Sequence, residues 1–138
     1  MPELPEVESV RRTLEPCVVG RDVRRVRLLR RDVVDGASTG HALLAGARIA
    51  SLRRHGKQIA VDASDGRRLR VHLGMSGQLL FLRARARPVR TDHVHAIWSL
   101  ATPEGEAAGR ILFRDPRRFG GLATHADEAS LRGAWRGL

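Results

Sequence analysis

From Gly20 onward the chain is cut into short runs of alternating apolar and polar residues by turn-forming residues, a pattern that leaves few architectures open. Val23, Val26 and Leu28 mark a first strand, its phase disturbed by Arg24, Arg25 and Arg27. Further runs follow at 49–53, 58–62 (Ile59 and Val61 inward), 69–73, 78–82, 94–100 and 110–113. Ser64-Asp65-Gly66, Gly74 with Ser76-Gly77, Pro103-Glu104-Gly105 and Gly120-Gly121 separate them. Strands at this spacing predict a mainly β fold, a sandwich or a barrel. Ahead of them, Leu4, Val7, Val10 or Arg11, and Leu14 recur at helical spacing, with Pro2 and Pro5 tolerated in the first turn and Pro16 and Gly20 expected to stop the helix. A short helix over 39–45 with Leu43 and Leu44 inward, an exposed loop over 83–90 and a closing helix over 127–135 complete the expectation.

Composition narrows the class of partner. Lys and Arg number 25 against 15 acids among 138 residues, a net charge of +10, and all the basic residues but Lys57 are arginine. Codon usage in a GC-rich source explains the arginine preference, but it does not explain the shortage of acids. Clusters at 24–31, 67–70, 83–90 and 114–118 provide a positive field suited to phosphate. Aromatic residues are few (Phe81, Phe113, Phe119, Trp98, Trp135), which favours a duplex over a single strand stacked on rings. Mean hydropathy is −0.28, and no apolar run approaches the roughly 20 residues of a spanning helix. The acidic opening lacks the base of an export signal, so a cytosolic protein is expected. Cys17 is the single cysteine, so neither an internal disulfide nor a multi-cysteine zinc site can be built from this chain.

One group at the start has chemistry of its own. If Met1 is removed, as a small second residue permits, Pro2 becomes a secondary amine at a helix N-terminus. Terminal amines titrate near about 7.7–8.0, far below lysine. The helix end disfavours the protonated form further, while Glu3 and Glu6 oppose that effect. Such an amine can attack an electrophilic carbon and form an iminium, with Glu3 beside it as acid or base. Many chains begin Met-Pro, however, and helix charge matching alone accounts for Glu3, Glu6 and Glu8 with Arg11 and Arg12.

The whole opening string is far more specific. Residues 1–8, MPELPEVE, resemble the start of the bacterial formamidopyrimidine-DNA glycosylase family, and further segments match in order: Gly56-Lys57, His72-Leu73-Gly74-Met75-Ser76-Gly77, Asp115-Pro116-Arg117-Arg118-Phe119-Gly120 and, more weakly, Asp92-His93-Val94. Leu4 stands where the related endonuclease VIII branch usually has glycine. The resemblance implies a two-layer β-sandwich of about eight strands, with an N-terminal helix and one or two short flanking helices. It also implies a bifunctional glycosylase/AP lyase that removes oxidised purines (8-oxoguanine, formamidopyrimidines) from double-stranded DNA, working as a monomer in the bacterial cytoplasm at the nucleoid, without a membrane. Pro2 corresponds to the nucleophile, Glu3 to the acid/base that protonates the opening sugar, Glu6 to a supporting carboxylate, and Lys57 to a phosphate-holding lysine. Met75, Arg117 and Phe119 correspond to the trio that fills and probes the gap left by an everted base. His72, His93 and Arg118 are expected at the DNA, the histidines as structural or phosphate-contacting groups rather than metal ligands, and Asp115 is expected to cap its turn.

The match has limits. The family's second lobe, with its helix–two-turn–helix and four-cysteine zinc finger, is absent from residues 1–138, so this chain corresponds to the N-terminal catalytic lobe. No cofactor is expected within it, the family's structural zinc belonging to the other lobe. Thr91 stands where the family often has histidine, which puts one DNA contact in doubt. Two other readings stay open: a truncated, non-catalytic DNA-binding paralogue, and a basic β-domain for RNA or a partner protein.

Overall fold

The computed structural model describes residues 4–34, 43–87, 92–116 and 120–136. Helix α1 (Leu4–Val18) leads into β1 (Asp22–Leu28) and a 3-10 turn at Arg31–Val33. Seven more strands follow: β2 (Ile49–His55), β3 (Gln58–Ala63), β4 (Arg68–His72), β5 (Gln78–Leu82), β6 (Val94–Ala101), β7 (Ala107–Arg114) and β8 (Gly121–His125). Helix α2 (Glu128–Arg136) closes the set. The strands form two antiparallel four-stranded sheets, ordered β1-β6-β7-β5 and β2-β3-β4-β8. This is the two-layer sandwich expected from the sequence.

The core lies between the sheets. Val23, Leu79, Trp98 and Ile111 from one sheet meet Ile49, Val61, Leu69 and Val71 from the other, with Leu44 from the connection into β2. Trp98 is fully buried, and its indole N–H donates to the Leu43 carbonyl at 2.9 Å, so its polar atom is satisfied inside an apolar layer. Helix α1 turns Val7, Leu14 and Val18 inward, with Val10 packed alongside, and lies against β2 and β5. Those are the edge strands of the two sheets on one side, so α1 seals that side of the sandwich. On the opposite side, Val34 bridges to Leu122 and covers the edge of β8.

Four local expectations need correcting. Pro16 lies inside α1 instead of ending it. A proline in the last turn forfeits one hydrogen bond, and the helical φ it imposes lets the turn finish, with the Val19 N–H reaching the Glu15 carbonyl at 3.0 Å. In the predicted 39–45 helix, positions 39–42 lie outside the described residues and 43–46 form a turn, although Leu43 and Leu44 are buried as expected. The β8 strand was not expected, because Gly120-Gly121 reads as a break when Gly121 in fact opens a strand. Strand β3 does not alternate: all six of its residues are buried, since it is central in its sheet and α1 also packs on it.

Candidate nucleic-acid interface

Those residues expected at DNA that are described arrive on several elements that meet at one end of the sandwich. Glu6 is exposed in the first turn of α1. It lines a groove of about 500 Å3 together with Val7, Val10, Met75, Ser76 and Leu80. Met75 sits on the turn between β4 and β5 and is 44% exposed, one of the few large apolar side chains facing solvent. Lys57 follows Gly56 in the two-residue turn between β2 and β3, half-buried beside the Gln58–His72 strand pair. His72 ends β4. Its pKa is pushed below the ordinary 6.5, chiefly by burial and then by the Arg70 charge, with a smaller contribution from Lys57 and an opposing one from Asp115. His72 therefore lies within the fields of both Arg70 and Lys57. Pro2, Glu3, Arg117, Arg118 and Phe119 lie outside the described residues, as does Thr91.

The two glycine-terminated motifs are explained by close approach. A Cβ on Gly77 would come within 2.4 Å of the Leu73 carbonyl oxygen, and the Gly77 N–H bonds that oxygen at 2.7 Å, so the Met75 turn closes only around glycine. A Cβ on Gly120 would lie 2.3 Å from the His72 carbonyl oxygen, which brings the end of the 115–120 segment directly onto the end of β4. Through these contacts the Met75 turn and Gly120 both pack at the end of β4.

His93 is exposed and adopts a left-handed backbone, φ 64°, with its Nε2 3.4 Å from an Asp92 carboxylate oxygen. The next histidine, His95, is buried at an irregularity of β6: Val94 pairs with Arg114 and Ala96 with Phe113, leaving His95 outside the regular register. That displacement lets His95 Nε2 reach the Asp115 carbonyl oxygen at 2.7 Å. A carbonyl only accepts, so Nε2 carries the proton, and Nδ1 is buried without a hydrogen-bond partner among the described residues. Arg114 donates to the Asp92 carbonyl at 3.0 Å, to the Asp92 carboxylate at 3.1 Å and to Gln78 at 3.2 Å. It thereby ties the approach to β6 to the start of β5.

Sequence reasoning passed over His95, placed Arg114 only within the 114–118 cluster suited to phosphate, and for Asp115 foresaw only the turn cap, which is present as the Gly120 N–H donating to Oδ2 at 2.8 Å. A histidine inside an otherwise apolar run was the available signal for His95. Among the described residues no group of three or more His, Cys, Asp or Glu side chains is placed to hold a metal ion, and no helix is long and apolar enough to cross a membrane.

Comparison with known proteins converges on one family. Residues 1–122 match the family model described as the formamidopyrimidine-DNA glycosylase N-terminal domain. The formamidopyrimidine-DNA glycosylase of Cereibacter sphaeroides is 42% identical over 139 residues, covering 94% of this chain and 47% of that protein. The Lactococcus lactis Fpg (MutM) in complex with FAPY-dG-containing DNA superposes with a TM-score of 0.81 at 28% identity, covering 97% of this chain and 48% of that one. A MutM bound to carbocyclic 8-oxo-G-containing DNA matches with a TM-score of 0.81 at 28% identity, covering 98% and 48%. The chain thus spans about half the length of the curated relatives it matches. On this sequence match, together with the sandwich and the placement of its motifs, the chain belongs to the formamidopyrimidine-DNA glycosylase family.

Proposed function

We propose that this chain is the catalytic lobe of a bifunctional DNA glycosylase/AP lyase acting on oxidised purines in duplex DNA. The observation that carries the reading is the convergence, at one end of the fold, of the first turn of α1 with Glu6, the exposed Met75, and His72 in the field of Lys57. With Met1 removed, the Pro2 amine attacks the anomeric carbon of the damaged nucleotide, and the bond to the base breaks. Glu3 protonates the opening sugar, Glu6 supports it, and the iminium formed at Pro2 leads to strand cleavage by elimination. Lys57, as a compact ammonium, holds phosphate near the lesion, with His72, His93 and Arg118 alongside. Met75, Phe119 and Arg117 occupy the gap: a thioether and a ring wedge into the stack while the guanidinium offers donors to the orphaned base.

Borohydride trapping on a duplex carrying an oxidised purine tests this, with the Cereibacter sphaeroides relative as positive control and intact mass to establish that Met1 is gone. A covalent adduct that disappears in Pro2→Gly is the expected result. No adduct from a chain with free Pro2, under conditions where the relative gives one, overturns the catalytic reading. Steeply salt-dependent duplex binding that is indifferent to Pro2→Gly would then identify a non-catalytic DNA-binding module.

A further inference from the structure

Gly56 and Lys57 alone connect β2 to β3, and the His55–Gln58 pair closes the loop they form. Gly56 takes a left-handed φ of 59°, while Lys57 has no positive φ. A Cβ on Gly56 would meet nothing within 4 Å, so backbone conformation and not crowding calls for glycine there. A two-residue loop of this kind has one soft motion. Flipping its central peptide carries the second residue to positive φ, which is the difference between type II′ and type I′ turns. Arg54 Nη1 donates to the Gly56 carbonyl at 3.2 Å, and that carbonyl belongs to the planar peptide joining Gly56 to Lys57. The Nε of the same guanidinium donates to Glu8 Oε1 at 3.2 Å, on the helix whose first turn carries Glu6. Glu8 is itself anchored, accepting from Arg11 at 2.7 and 3.0 Å and from Arg12 at 3.1 Å within α1. Arg11 foremost, with Arg54 and Arg12, holds its carboxyl down to about 2, so Glu8 is ionised at neutral pH.

We propose that Arg54 is a positioning residue for Lys57: anchored on Glu8, its guanidinium holds the Gly56–Lys57 peptide in one orientation and so sets the loop carrying Lys57 against α1. This rests on the reading above that Lys57 holds phosphate. Exposed ion pairs contribute little to global stability, so the bridge bears on where the loop stands and not on whether the chain folds. A loop free to exchange turn types presents its ammonium correctly for only part of the time, and apparent affinity falls with that fraction.

Glu8→Gln tests this, because net charge and positioning predict opposite signs for it. Removing a carboxylate raises the net charge by one, which on charge alone strengthens binding to a polyanion. Positioning instead predicts binding weakened about threefold, with a salt dependence shifted towards that of Lys57→Ala. Duplex affinity is measured across a salt series for Glu8→Gln and Arg54→Gln, each alone and combined with Lys57→Ala, with thermal melts as the folding control. Both variants are expected to weaken binding while Lys57 is present and to weaken it no further once Lys57 is gone, since they act through it. Unchanged or tighter binding by folded Glu8→Gln overturns the inference, as does an equal loss with and without Lys57. Should Glu8→Gln fail to fold, the same comparison in Arg54→Gln stands in its place: a loss confined to the lysine background supports the bridge, and any other result overturns it. If Lys57→Ala itself leaves affinity and salt dependence unchanged, the phosphate reading falls and the inference with it.

Discussion

His72 shows how one residue can carry two opposite pH dependences. Burial and the neighbouring Arg70 charge hold its folded pKa below the ordinary 6.5, so the folded protein favours the neutral ring. Between the folded value and 6.5 the unfolded chain binds more protons, and stability rises with pH. The contribution is complete above 6.5 and is lost as pH falls through the folded value. Phosphate at the same ring would favour the cation, so duplex binding should strengthen over the same fall in pH. His72→Gln is expected to flatten both trends: a smaller drop in melting temperature from pH 7.5 to 5.5, and a smaller gain in duplex affinity. A variant that keeps the full gain in affinity would remove His72 from the DNA-contacting set. Met75 was marked out by the resemblance of its His-Leu-Gly-Met-Ser-Gly turn to the family, and Lys57 by that resemblance together with its being the single lysine. The hydrogen bond from the Ser76 hydroxyl to the Asp115 carboxylate could not be read from the sequence, because partners 39 residues apart leave no local pattern in the chain.

At the scale of the element, α2 is held by a polar network more than by an apolar face. Asp127 caps its start, accepting from the Ser130 N–H at 2.9 Å, and Leu131 is its fully buried apolar anchor. Glu128 accepts from Arg53 at 2.6 and 2.9 Å, from Arg68 at 3.1 Å and from Arg132 at 2.9 Å, and these arginines hold its pKa down to about 2. Trp135 stacks on His55 with ring centroids 4.6 Å apart and donates to Gln58 at 3.2 Å, which fastens the far end of the helix beside the Lys57 turn. Glu128→Gln should cost about 1 kcal/mol at neutral pH, since it leaves Arg53 and Arg68 without one partner. The difference from the unaltered chain should persist above the ordinary glutamate value of 4.5 and shrink as pH falls towards about 2. Melts across that range check it, and a pH-independent difference would deny Glu128 its ionic role. The strands at 58–62, 69–73, 78–82 and 94–100 were legible because alternation and turn residues are local signals. The β8 strand was not, because its pairing with β4 comes from the sheet, and neither the glycine that opens it nor its length announces it. The closing helix was legible in outline, but its docking by charge was not.

For the whole molecule, the relevant quantity is how much of the +10 charge remains available to a polyanion. Much of the arginine is engaged internally: Arg53, Arg68 and Arg132 on Glu128, Arg11, Arg12 and Arg54 on Glu8, Arg48 on Asp22, and Arg114 on Asp92. Arg53 and Arg68 on Glu128 and Arg54 on Glu8 tie a helix to a sheet, and counting any of these paired arginines as DNA contacts would overstate the electrostatic grip. Lys57 differs in kind. It stands at a turn beside His72, near enough to depress that ring's pKa, and a compact ammonium there suits a single phosphate. Counterion release makes this measurable, because each phosphate neutralised adds roughly 0.9 to the slope of log affinity against log salt. Lys57→Ala should therefore lower the magnitude of that slope by about one and weaken binding to damaged and undamaged duplex alike. Arg132→Ala, which removes a charge already paired with Glu128 on the surface of α2, should leave the slope unchanged. The two variants lose the same formal charge, so equal slopes would mean that net charge, and not the placement of Lys57, governs the interaction with DNA.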